Sequence, residues 1–294
     1  MITFQTIGVE EDCKKLWDKY SAKEFLWDLW EFRHCFHNSN FEFNFLLGFK
    51  DGKEIGVLPL VFDTKEKIYT YFGDTLPERN KFLLKDKDDL YYFLYECPYY
   101  TTIYYIDSKE AKYYDEFEPG EKRYFLNLKK HGYDFENYLK TFTKKHRKNL
   151  KYDLKKLGEK GFDIVKNDVK DFDKLIEFNK QRFGKESNYR NKDFVLNMKE
   201  AVNTAKKMKI LDMISIKIDD NAEAVGFGVF YNRCYYVLGT GRNVEIKNLG
   251  KLLIAEQIKS AISLGCDEID FLSTESNWKE LWNLDSEQTY EFYS

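Results

Sequence analysis

The residues best placed to do chemistry lie between 226 and 272. An aromatic strand pattern, Cys234-Tyr235-Tyr236-Val237-Leu238-Gly239-Thr240, runs into a polar stretch from 241 to 248, and a helical period follows from Leu249 to Leu264. The first amides of a helix lack partners within it, and the helix dipole favours an anion beside them. With Arg242, Lys247 and Lys251 around Gly250, the connection 241–251 can hold a phosphate. It also suits an ordinary strand-to-helix connection, which one glycine would serve. Gly226 and Gly228 are two apart on one predicted strand and so face the same side. That bare face admits a ligand or another backbone at close range, or marks a bulge or a tightly packed helix. A second cluster is basic. Residues 144–160 hold eight Lys or Arg against Asp153 and Glu159, a local charge of +6 in a chain of net charge −3. Leu150, Leu154 and Leu157 give this helix one apolar face. Its lysines form either a solvated face or a patch for a polyanion: CoA phosphates, a nucleotide-linked sugar, a tRNA acceptor stem or lipid head groups. His34-Cys35-Phe36-His37 lacks a second ligand group, so no metal is expected. No nucleophile elbow, Walker motif or dinucleotide fingerprint is present.

The elements that must position these residues follow from hydrophobic period and turn signals. Residues 213–218 alternate, Asp219-Asp220-Asn221 turn, 223–231 return, and Asn232-Arg233 turn into 234–240. Gly265 stops the following helix, and Glu268-Ile269-Asp270-Phe271-Leu272 is a buried strand. The N-terminal half repeats the unit: 45–49, turn Asp51-Gly52, 54–60, then an aromatic third strand at 68–73. This is a duplication, unless two generic meanders look alike by chance. Further strands are predicted at 2–7, 102–106, 123–128, 162–165 and 289–293. Helices are predicted at 10–20, 24–34, 86–95, 169–183 and 192–207, with a helix pair over 134–160. The order is α/β. A chain of 294 residues suits two domains, here 1–128 and 129–294, with the basic helix 138–160 leading into the second. The near-neutral balance argues against a general nucleic-acid binder. No signal peptide or transmembrane stretch is visible, and five scattered cysteines read as reduced thiols, so a cytoplasmic location is expected.

Four segments carry a family resemblance by their order: Lys144-Lys145-His146-Arg147-Lys148-Asn149-Leu150, Asn248-Leu249-Gly250-Lys251-Leu252-Leu253, Ile269-Asp270-Phe271-Leu272 and Asn277-Trp278-Lys279-Glu280-Leu281-Trp282. The chain resembles the GNAT N-acyltransferases, and within them the Fem-type and CelD-like (FemAB-like) branch, which carries two such domains in tandem. The resemblance is good over 138–282 and looser over 1–128. It implies two tandem GNAT-like domains, each with a mixed, mostly antiparallel central sheet flanked by helices. It implies acyl transfer from acyl-CoA, without a metal, to an amine on a small molecule, sugar or peptide bound between the domains. The N-terminal domain would have lost its donor site.

The resemblance also assigns residues. Backbone donors near Leu238, Gly239 and Thr240 would meet the thioester carbonyl, where charge develops as the amine attacks. The CoA pyrophosphate would lie on Gly241, Arg242, Lys247, Asn248, Gly250 and Lys251, although Asn248 and Leu249 depart from the family's glycine-rich form. An attacking amine must lose a proton. The candidate bases are Asp270, Glu275 and Glu223, with Tyr236 as a candidate acid. Trp278 replaces the family's tyrosine near the final helix, and Lys279 suits an anionic substrate group. Glu223, Trp278 and Lys279 are the expected substrate contacts. Two alternatives stand beside this. One is an aminoacyl-tRNA-dependent Fem-like transferase, although the long coiled-coil arm common in that branch is absent here. The other is a non-catalytic binding protein on the same scaffold.

Overall fold

A computed structural model describes residues 1–73, 76–159, 161–273 and 277–294. In chain order the elements are β1 (Ile2–Ile7), α1 (Glu10–Tyr20), α2 (Trp30–Arg33), β2 (Phe41–Lys50), β3 (Lys53–Asp63), β4 (Ile68–Tyr71), β5 (Leu83–Leu84), α3 (Leu90–Tyr95), β6 (Thr101–Ile106), α4 (Ser108–Ala111) and β7 (Glu118–Asn127). There follow α5 (Phe135–Leu139), α6 (Lys144–Gly158), β8 (Asp163–Lys166), α7 (Phe172–Phe183), α8 (Lys192–Lys207), β9 (Leu211–Ile218), β10 (Asn221–Tyr231), β11 (Cys234–Arg242), α9 (Leu249–Ser263), β12 (Glu268–Asp270), α10 (Asn277–Leu281) and β13 (Asp285–Tyr293).

The chain divides into two compact units, Met1–Arg123 with Glu287–Ser294, and Tyr124–Ser286. In the first, β1, β2, β3 and β4 pair antiparallel in sequence, and β6 then runs parallel to β4. In the second, β8, β9, β10 and β11 do the same, and β12 runs parallel to β11. A helix or helix pair separates the first two strands of each set, and another separates the last two. The repeat seen as a pattern of residues is thus a repeat of topology. The hairpins share a cause as well. Asp51-Gly52, Asp219-Asp220 and Asn232-Arg233 have positive φ at both positions (51° and 75°, 48° and 63°, 44° and 63°). Such two-residue turns match the right-handed twist of the strands they join.

Packing settles two open points. The face left bare by Gly226 is filled by α9: a Cβ there would lie 2.7 Å from the Gln257 amide nitrogen. Gly228 sits at a register shift in β10, under the Tyr235 hydroxyl. That hydroxyl donates to the buried Asp212 carboxylate at 3.0 Å, which also accepts from Ser260 at 2.6 Å and Lys166 at 3.0 Å. The two glycines therefore serve a bulge and close helix packing. On α6, Leu150 and Leu157 are buried and Leu154 is half-buried. Asp153 pairs with Lys251 of α9 at 2.6 Å, tying the basic helix to the start of α9.

Two expectations are corrected. The helix expected over 24–34 is broken into a 3-10 turn at Leu26–Asp28, the short α2 and a second 3-10 turn at His34–Phe36. The Asp28 carboxylate takes the amides of Glu24 and Phe25 at 3.0 and 3.1 Å, which holds the chain in a turn at the start of that run. The division falls at Arg123/Tyr124 instead of 128/129, and 287–294 belong to the first unit. There β13 pairs with β6, and Phe292 is buried with Ile103, Ile106 and Phe117.

Candidate active site

The site is built on two parallel strands that part company. β11 has nine residues and β12 three, and their register ends at Tyr236 opposite Asp270. Beyond Tyr236, β11 keeps β10 on one side, while its other edge meets no strand among the described residues. On the paired side a bulge intervenes: Phe227 faces Gly239 and Gly228 faces Val237, with Leu238 extra. A bulge leaves its extra residue out of the ladder and bends the strand. Residues 237–240 therefore present backbone donors and acceptors to whatever lies beside them.

The same strand leads to an anion-binding geometry. Asn248 takes a left-handed φ of 69° and places no side-chain cap on α9. Its carbonyl accepts from Lys251 and Leu252 at 3.0 and 3.1 Å, so the amides of Leu249 and Gly250 remain unpaired among the described residues. Arg242 folds over Gly250, where a Cβ would lie 3.0 Å from its Nε. Arg242 is half-buried and Lys247 exposed, and neither side chain has a hydrogen bond or ion pair among the described residues. Arg182 on α7 is close enough that burial and the charge of Arg242 together hold its guanidinium below its ordinary pKa. Neither guanidinium has a carboxylate partner among the described residues, and together with the unpaired helix amides they give a local charge that favours a multiply charged anion.

Residues 144–280 match the family described as acetyltransferase (GNAT) domain. Among solved structures, FemX is similar at 12% identity over 99% of this chain and 97% of that one, with a TM-score of 0.65. L-PGS from Bacillus licheniformis is similar at 10% identity over 98% and 93% of the two chains, with a TM-score of 0.58. A tandem GNAT protein from the clavulanic acid biosynthesis pathway is similar at 10% identity over 99% and 97%, with a TM-score of 0.55. At these identities the likeness is one of fold. No curated protein sequence matches the chain. The chain has the tandem, Fem-like GNAT fold.

Within the second GNAT unit the expected residues fall into separate places. Leu238, Gly239 and Thr240 lie on the open edge, and Gly241, Arg242, Lys247, Asn248 and Gly250 on or before the turn into α9. Gly241 is needed for packing: a Cβ there would lie 2.8 Å from the Leu175 Cα. Lys251 is paired with Asp153. Asp270 is buried opposite Tyr236, and its carboxylate accepts the Leu272 amide at 2.8 Å. Glu223 stands elsewhere. It accepts from the Asn243 side chain at 2.8 Å, seven residues past Tyr236 and just beyond the end of β11. That is roughly 20 Å at the strand rise, so Glu223 anchors the anion turn and does not share a place with Asp270. Glu275 lies outside the described residues. Trp278 is half-buried, edge-on to Phe271 at 5.7 Å.

Lys279 differs most from expectation. It is 3% exposed and donates to the carbonyls of Leu272, at 2.9 Å, and Ser273. Its ammonium also lies 4.8 Å from the Tyr124 ring centroid. The side chain closes the turn after β12 and is unavailable to an anionic substrate. Asn179 and Ser187, which had no local sequence signal, are brought to the site. Ser187 donates to Asn179 at 2.7 Å, and Asn179 to the Thr240 carbonyl at 3.4 Å. Lys279→Met is expected to lower unfolding free energy by about 1–3 kcal/mol in urea titrations, with acetyl-CoA affinity of the folded protein unchanged. Lost affinity at unchanged stability would restore the substrate contact.

Proposed function

We propose that this chain is an N-acyltransferase that moves an acyl group from acyl-CoA to an amine on a small molecule, sugar or peptide. The open edge of β11 beyond Tyr236 carries the reading. A pantetheine arm resembles a short strand in its amides and can pair with such an edge. In this reading, backbone groups of Leu238, Gly239 and Thr240 hold the thioester and stabilise the charge that develops on its carbonyl oxygen. Arg242, Lys247, Asn248 and Gly250, with the first amides of α9, take the pyrophosphate. The amine nitrogen bonds to the carbonyl carbon, the C–S bond breaks with its electron pair on sulfur, and the proton shed by nitrogen ends on the thiolate. Asp270, at the point where the strands part, relays that proton directly or through water, with Tyr236 beside it.

The first unit supports a role other than donor binding. After β4, Asn80 occupies the comparable gap. Its amide donates to the Tyr105 carbonyl at 2.8 Å, its side chain to the Tyr104 carbonyl at 2.7 Å, and its carbonyl accepts from Asp107 at 2.9 Å. Arg33, 1% exposed, donates to Asn80 at 2.8 Å and to the Phe72 carbonyl at 2.7 Å. In this reading that edge is already satisfied by the chain. No helix among the described residues is long and apolar enough to cross a membrane, and a cytoplasmic place suits a CoA-dependent reaction.

Acetyl-CoA at 100 times its Kd is expected to stabilise the protein by about 2.7 kcal/mol. Gly250→Glu is expected to abolish that stabilisation while the ligand-free unfolding midpoint stays put. Unchanged affinity in the variant would remove the α9 turn from the site.

A second feature concerns the nature of the donor. Lys144, Lys145 and Lys148 are exposed and have no ion-pair partner among the described residues, and Arg147 reaches only the Lys140 carbonyl, at 3.4 Å. We propose that Lys144, Lys145, Arg147 and Lys148 meet a polyanion. The Fem-type resemblance of the sequence keeps an aminoacyl-tRNA-dependent reaction as the second reading. Replacing all four by Gln is expected to weaken binding of acetyl-CoA or of aminoacyl-tRNA, whichever is the donor, and to flatten its salt dependence, because fewer counterions are released. Stability should change little. A defect independent of salt would contradict the electrostatic role.

A further inference from the structure

Tyr189 lies in a 3-10 turn, Asn188–Arg190, between α7 and α8. It is 4% exposed, and its hydroxyl has no hydrogen-bond partner among the described residues. The ring is fixed edge-on by Phe194 at 5.1 Å and Phe172 at 6.4 Å. The hydroxyl is aimed at Gly239: a Cβ there would lie 2.8 Å from it. Gly239 follows the bulge residue Leu238 on the stretch of β11 whose outer edge meets no strand among the described residues, so the bare glycine lets the phenol approach the face of the strand there. The turn is pinned to the next residue by the Ser187–Asn179–Thr240 chain of hydrogen bonds.

A buried hydroxyl without a partner is destabilising, and phenylalanine would fill the same space without that cost. Burial pushes the Tyr189 phenol above its ordinary pKa, so it stays protonated and is suited to donate. Resting on the acyl-CoA reading above, we infer that Tyr189 is an acyl-binding residue, its hydroxyl donating a hydrogen bond to the carbonyl oxygen of the bound acyl group. It supplements the backbone donors of β11 from the α7–α8 side.

The test compares acetyl-CoA with CoA, by calorimetric titration of wild type and Tyr189→Phe, together with urea unfolding of both ligand-free proteins. Wild type should prefer acetyl-CoA. The variant should bind CoA as wild type does, lose roughly two- to tenfold in acetyl-CoA affinity, the yield of one hydrogen bond, and unfold at an equal or higher midpoint. An undiminished preference in the variant, or no preference in wild type, would overturn the inference and leave the acyl-CoA reading standing. A destabilised ligand-free variant would also overturn it, by showing that the hydroxyl already has a structural partner such as a buried water. Failure of wild type to bind either compound would overturn the acyl-CoA reading and this inference with it.

Discussion

Backbone amides and carbonyls cannot be left without partners away from water, and the second unit turns on where that rule is left open. β11 and β12 pair for three residues and then separate. The separation is enforced from the β12 side. The Asp270 carboxylate captures the Leu272 amide, Leu272 takes a left-handed φ of 62°, and Lys279 gathers the carbonyls of Leu272 and Ser273. A lysine buried with carbonyl partners is costly to disturb, so the Leu272 and Ser273 carbonyls are held by it. On the other side the bulge at Leu238 bends β11 while α9 packs against β10 through the gap at Gly226. The unpaired strand and the uncapped helix amides thus belong to one rigid element sequence, β11–turn–α9. This is why one ligand can answer both.

The two units show the same topology with opposite solutions. In the first, Asn80 bonds to Tyr104, Tyr105 and Asp107, and Arg33 fills the space beside Gly73. Its helix between the last two parallel strands, α3, has six residues, against fifteen for α9. A short helix has a weaker dipole and fewer aligned amides to offer an anion. In the second, Asn179 donates to the Thr240 carbonyl, and no described strand pairs with the outer edge of β11 beyond Tyr236.

Much of this was legible in the residues, and the pattern of success has a physical basis. β1, α1 and α8 have the bounds expected, because each is a continuous period with clear turn signals at its ends. The hairpins were legible because Asp-Gly, Asp-Asp and Asn-Arg sit where positive φ is required. The order of elements pointed to the GNAT fold. What escaped was non-local. Nothing near Thr289 signals that β13 pairs with β6, since strand partners are chosen by the completed core. Lys279 looks like a surface lysine in sequence, and only the turn around it makes it an internal clasp. Lys251 and Gly241 were expected to face a phosphate, and packing commits them to Asp153 and to Leu175. Glu223 and Asp270 are both carboxylates in one sheet, but the register puts them at different ends of β11.

Amide hydrogen exchange read by mass spectrometry, with and without acetyl-CoA, tests the central claim most directly. Unpaired backbone groups exchange readily until a ligand covers them. Binding at the open edge is predicted to slow exchange over residues 237–242 and 249–252, with the corresponding stretch of the first unit, 69–73 and 80–84, unchanged. Binding that protects neither segment of the second unit would contradict the account, as would protection confined to the first.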